Sequence, residues 1–66
     1  MDIKVNGEIR QIEDKSTLYD LIDSLNLQER VMAAAVNMEV VKKDKWQDAS
    51  LKEGDVVELL DFVGGG

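Results

Sequence analysis

Gly64, Gly65 and Gly66 close the sequence, and they are the residues with the clearest capacity for chemistry. Consecutive glycines neither cap a helix nor stabilise a strand, and glycine loses more conformational freedom on ordering than any other residue. A flexible tail over residues 64–66 is expected, reaching about 10 Å past the last strand when extended. Having no side chains, it could thread a narrow channel in another protein and present the Gly66 carboxylate for chemical activation there. A frayed end or a linker is the competing reading of such glycines. Leu60, Phe62 and Val63 run up to the edge of the tail, where a spacer would ordinarily follow polar residues.

Little else in the chain could do chemistry. With no cysteine, disulfides, thiolate metal sites and iron–sulfur ligation are excluded. With no histidine, the commonest general base and the commonest metal ligand are missing too. Ser50 and Lys52 have no evident activating partner, and no carboxylate pair sits in a recognisable catalytic pattern. The chain is therefore expected to be acted on by enzymes rather than to be one, and to bind no cofactor or metal itself. A net charge of −6 would repel phosphate backbones, so nucleic acid is not an expected partner. The residues from Met1 to Lys4 lack a signal-peptide pattern and no apolar run approaches membrane-spanning length, so a cytoplasmic protein away from membranes is expected.

The elements that must position the tail follow from pattern. At 66 residues one domain is expected, burying only about 60% of its unfolded surface around one small core. Its 44% hydrophobic and 33% charged residues are those of an ordered domain. Met1 to Val5 alternates as a half-buried strand. Asn6-Gly7 is a strong hairpin signal, and Glu8 to Glu13 is the returning strand. Ile9 and Ile12 are three apart, so either a bulge intervenes or one is exposed, and Ile12 is expected in the core. Thr17 with Asp20 resembles a capping box, and Leu18, Leu21, Ile22 and Leu25 form one helical stripe. Asn26 suits a left-handed stop, with Leu27 tucked under the helix end. Val31 to Val36 is expected as a strand, Val40-Val41 as a short one after a turn at residues 37–39, and Lys42 to Asp48 as a loop with a helical turn. Trp46 there is expected to lid the core. Glu53-Gly54-Asp55 turns the chain into a last strand, Val56 to Val63.

One helix across a mixed sheet of four to five strands is the simplest layering of these elements. A hairpin followed by a crossover helix is the order of a β-grasp, so an α+β domain over residues 1–63 is expected, followed by the tail at 64–66. In the last strand Val57 and Leu59 share one face, while Val56, Glu58, Leu60 and Phe62 share the other. Val57 and Leu59 are expected in the core. Leu60, Phe62 and Val63 are expected to form a partner-docking patch, although Phe62 could instead cover the core edge. Glu58 and Asp61 could meet basic partner residues.

The β-grasp order, the stretch Glu53-Gly54-Asp55-Val56-Val57-Glu58-Leu59-Leu60 and the terminal glycines together resemble the ubiquitin-like sulfur carriers, most closely the ThiS family of thiamin biosynthesis. The likeness spans the chain: Asn6-Gly7, Thr17 to Ile22, Val36-Asn37, Glu39 to Val41, Trp46, Leu51, Gly54-Asp55 and Asp61 to Gly66. Many members end in two glycines, which Gly65-Gly66 would match, leaving Gly64 as an extra. The resemblance implies that a ThiF-type adenylating enzyme, using ATP and magnesium, converts the Gly66 carboxylate to an acyl-adenylate. Sulfur from a cysteine-desulfurase-type donor would then displace AMP, and thiazole synthase (ThiG) would take sulfur from the resulting thiocarboxylate. A carrier of this kind should be monomeric when free.

Three other functions compete. The molybdopterin-synthase sulfur carriers (the MoaD family) share the chemistry, but they tend to be longer and approach their glycines through a proline, and this chain has none. A ubiquitin-like modifier would join Gly66 to target lysines. A plain interaction domain would carry an inert tail.

Overall fold

The computed structural model describes residues 1–61. The expected boundary at residue 63, the glycine tail and the end of the last strand lie outside the described residues. The first hairpin pairs β1 (Asp2–Val5) with β2 (Glu8–Gln11) in unbroken antiparallel register, Asp2↔Gln11 to Val5↔Glu8. Its turn needs left-handed backbone at both central residues, and Asn6 (φ 49°) and Gly7 (φ 89°) provide it. The second strand ends at Gln11, two residues short of the expected Glu13, although the Ile12 N–H still donates to Met1 O at 2.9 Å. No bulge intervenes in this pairing. Ile9 is 70% exposed while Ile12 packs half-buried against the core, because residues three apart on an extended chain face opposite sides.

The helix α1 (Leu18–Ser24) starts where its cap dictates. Thr17 Oγ1 accepts from the Asp20 N–H at 3.1 Å and the Asp20 carboxylate accepts from the Thr17 N–H at 2.9 Å, satisfying two otherwise orphaned donors. It stops at Asn26 (φ 59°). There the Asn26 N–H donates to Asp23 O at 2.9 Å and the Leu27 N–H to Ile22 O at 3.2 Å, the paired bonds of a Schellman end. Leu18, Leu21 and Ile22 are buried, and Leu25 and Leu27 pack around them. Seven helical residues would not hold together alone in water; the apolar stripe against the sheet stabilises them.

Two further strands, β3 (Val31–Val36) and β4 (Glu39–Val41), form the second hairpin, turned by Asn37 (φ 51°) and Met38 (φ 72°). A 3₁₀ helix at Lys43–Asp48 places Trp46 fully inside, its indole N–H donating to Val41 O at 3.0 Å. Trp46 is thus the expected core lid with its one polar atom satisfied. Gly54 (φ 86°) turns the chain into β5 (Val56–Asp61).

The sheet order is β2-β1-β5-β3-β4. The last strand runs parallel to β1 and antiparallel to β3, so the sheet is mixed and β5 lies at its centre. The architecture is the expected α+β β-grasp, with one core between sheet and helix built from Ile3, Val5, Leu18, Leu21, Ile22, Val57 and their neighbours.

Candidate functional site

The strand that leads to the glycines is the middle one of the sheet and is paired on both sides. Parallel pairing at Lys4↔Val56 and Val5↔Val57 grips one side of β5, and antiparallel pairing from Val36↔Val57 to Val31↔Asp61 grips the other. Val57 and Leu59 point into the core, as their spacing requires, while Glu58 and Leu60 face away from the helix. A chain leaving from a central strand starts from a fixed point, which lowers the ordering cost when a partner engages both strand and tail.

Among the described residues no helix covers the second face of the sheet. Register places Leu60 opposite Ala33 and Glu58 opposite Ala35, and Ala35 is in turn opposite Val40. Alanines make the floor shallow. Leu60 (61% exposed) and Val40 (74% exposed) stand on either side of it, so a groove runs between them with Glu58 on its lining. Its lining is mainly apolar with one carboxylate, which suits a partner segment that offers an apolar side chain next to a basic one. Met32, where the β3–β5 register shifts, adds another exposed side chain on β3.

Of the expected docking residues, Leu60 lies on this open face. Phe62 and Val63 are outside the described residues, as are Gly64, Gly65 and Gly66. Val40 and the alanine floor lie outside the patch that the sequence pattern predicts. Ala33 and Ala35 alternate with the buried Ala34, which is the signal that marks them as facing away from the core. Ser50 and Lys52 are placed through their main chains: the Lys52 backbone N–H donates to Asp55 Oδ2 at 2.8 Å within the turn, and Ser50 forms a β-bridge with Thr17 beside the helix start. Among the described residues no group of three or more acidic side chains could hold a metal ion, and no helix is long and apolar enough to cross a membrane.

A small β-grasp with an open, shallow sheet face at the root of a glycine tail defines the class of ubiquitin-like carrier domains. The ThiS family model matches residues 3–66. The chain is 31% identical over 65 residues to the sulfur carrier protein ThiS of Bacillus subtilis, covering 97% of this chain and 98% of that one. It superposes with a TM-score of 0.82 on the crystal structure of the thiamine biosynthesis protein ThiS from Geobacter metallireducens, at 30% identity with both chains fully covered. Its whole length is also 32% identical to part of a thiazole synthase of Paramagnetospirillum magneticum, where the match makes up 20% of that longer protein. The chain belongs to the ThiS family, and the Bacillus subtilis relative that it matches over nearly the full length of both is named a sulfur carrier.

Proposed function

We propose that this chain carries sulfur for assembly of the thiamin thiazole, with the Gly66 carboxylate as the point of attachment. Membership of the ThiS family, whose model match runs to Gly66, is the observation that carries this reading. A carboxylate is a poor acceptor for a nucleophile, so it must first be activated. A ThiF-type adenylating enzyme would join Gly66 to AMP, using ATP with magnesium and releasing pyrophosphate. The outer sulfur of a cysteine-derived persulfide would then attack the acyl carbon and expel AMP. In the resulting acyl disulfide a second thiol would attack the donor cysteine's sulfur, forming a disulfide with it and releasing the thiocarboxylate, a soft anionic nucleophile. None of these steps needs a cysteine or histidine in the carrier, and the sequence has neither.

Thiazole synthase is the receiving partner. A relative of this chain forms part of a thiazole synthase, which supports the two working side by side. The same match favours thiazole over molybdopterin as the destination. Leu60, Phe62 and Val63 together with the groove beside Leu60 would dock the partners, and Gly64, Gly65 and Gly66 would enter their active sites. The test is reconstituted thiazole formation with thiazole synthase, an adenylating enzyme, ATP and a persulfide donor. The wild-type chain should supply the thiazole sulfur, and a chain lacking Gly65 and Gly66 should supply none. Equal thiazole formation by both would refute the reading, and isopeptide adducts on lysines would favour a protein modifier.

A further inference from the structure

Only two register pairs, Lys4↔Val56 and Val5↔Val57, join β1 to β5 before the main chain turns away at Asn6. Strand β5 continues to Asp61. On its β1 side the peptide groups of Leu59 would lose their partner just where the strand heads for the glycines. The Asn6 N–H still donates to Val57 O at 3.0 Å, the last main-chain bond of this ladder. Its side chain then supplies what the main chain does not. The Leu59 N–H donates to Asn6 Oδ1 at 2.8 Å, and Asn6 Nδ2 donates to Leu59 O at 3.2 Å. A carboxamide carries the donor and acceptor of a backbone peptide, so Asn6 extends the parallel ladder by one unit. Both bonds are partly buried, where competition from water is reduced.

We propose that Asn6 is a positioning residue for loading of the tail: it fixes Leu59 from the β1 side, while the neighbouring Glu58 and Leu60, opposite Ala35 and Ala33, face β3. This rests on the reading of Gly66 as the loaded group. With β5 held on both sides at this point, the neighbouring Leu60 keeps its place on the open face. An adenylating enzyme that engages face and tail together then meets a substrate already ordered. If the clamp is lost, that order must be created on binding, which raises KM and leaves the chemical step alone. The turn itself does not explain the residue type. Asp, Asn and Gly all tolerate left-handed backbone, but of these only Asn offers both a donor and an acceptor.

Strand β5 also supplies a control. At its start, on the β3 side, the Val56 N–H donates to Asn37 Oδ1 at 2.9 Å and Asn37 Nδ2 donates to Asp55 Oδ1 at 3.0 Å. Asn37 is likewise left-handed in a hairpin turn, but it grips the end of the strand remote from the tail. Asn6→Gly and Asn37→Gly each keep the turn and delete the side-chain bonds.

The experiment measures adenylation of the full chain by a ThiF-type enzyme, with the carrier as varied substrate, alongside amide exchange at Leu59. Asn6→Gly should raise KM about three- to tenfold with kcat within about twofold of wild type. Asn6→Asp, which keeps the acceptor but loses the donor, should fall between. Asn37→Gly should keep the wild-type KM, and exchange at Leu59 should accelerate in Asn6→Gly but not in Asn37→Gly. An unchanged KM in Asn6→Gly, or an equal rise in Asn37→Gly, would overturn the inference while leaving the carrier function standing. A wild-type chain that the enzyme cannot adenylate would overturn both.

Discussion

Leu59 and Leu60 are the same residue type, adjacent on the same strand, and they live in different chemistries. Leu59 is buried against the core, whereas Leu60 is 61% exposed on the open face. The difference extends to the two sides of the sheet. The covered side is aliphatic and closed by the helix and Trp46; the open side has an alanine floor between Val40 and Leu60. In so small a domain, whose total stability is expected at roughly 3–10 kcal/mol, one side must supply nearly all of it. The other is thereby free to be shaped for recognition, and stability and binding are separable by mutation.

The sharpest way to break this comparison is to truncate the two leucines in turn. Leu59→Ala should destabilise the fold by about 2–5 kcal/mol, measured by urea denaturation. That is a large share of the whole, and a loss below about 1 kcal/mol would mean that the covered side is not the stabilising one. Leu60→Ser should weaken binding to the adenylating enzyme about tenfold, equivalent to about 1.4 kcal/mol. Its unfolding midpoint should stay within the range of an ordinary surface change, about 0.5 kcal/mol. A large stability loss with unchanged binding would sink the docking patch. Thr17→Ala removes the capping acceptor and should cost about 1 kcal/mol with binding intact, since the helix start faces away from the patch. Smallest of all, Ile9→Ser should change stability by less than about 0.5 kcal/mol, because Ile9 is exposed on the edge strand β2.

What the sequence made legible was local or periodic. The capping box, the stripe from Leu18 to Leu25 and the left-handed stop at Asn26 each depend on residues within one or two turns. So do the Asn6-Gly7 turn and the inward pair Val57 and Leu59. The β-grasp followed from their order. The features that escaped are those made by distant partners. The amide of Asn6 meets Leu59 across 53 positions, and that of Asn37 meets Asp55 and Val56 across 18 and 19. A turn asparagine looks the same in sequence whether its side chain points to water or completes a ladder. The groove is likewise assembled from β3, β4 and β5, so only the register of three strands shows that Ala33, Ala35, Val40 and Leu60 belong together. The stop of β2 at Gln11 was hidden because Ile12 still pairs with Met1 beyond the strand. At the site, composition pointed only to a carboxylate on a run of glycines, and family membership supplies sulfur as the cargo proposed for it.

The most direct test of the central claim is the intact mass of the chain after incubation with ATP, an active ThiF-type adenylating enzyme and a persulfide donor, followed by fragmentation to locate the change. A carrier should gain the mass of one oxygen-to-sulfur replacement, confined to Gly66 and absent when ATP is withheld. An unmodified chain under those conditions, or sulfur found anywhere but Gly66, would contradict the account.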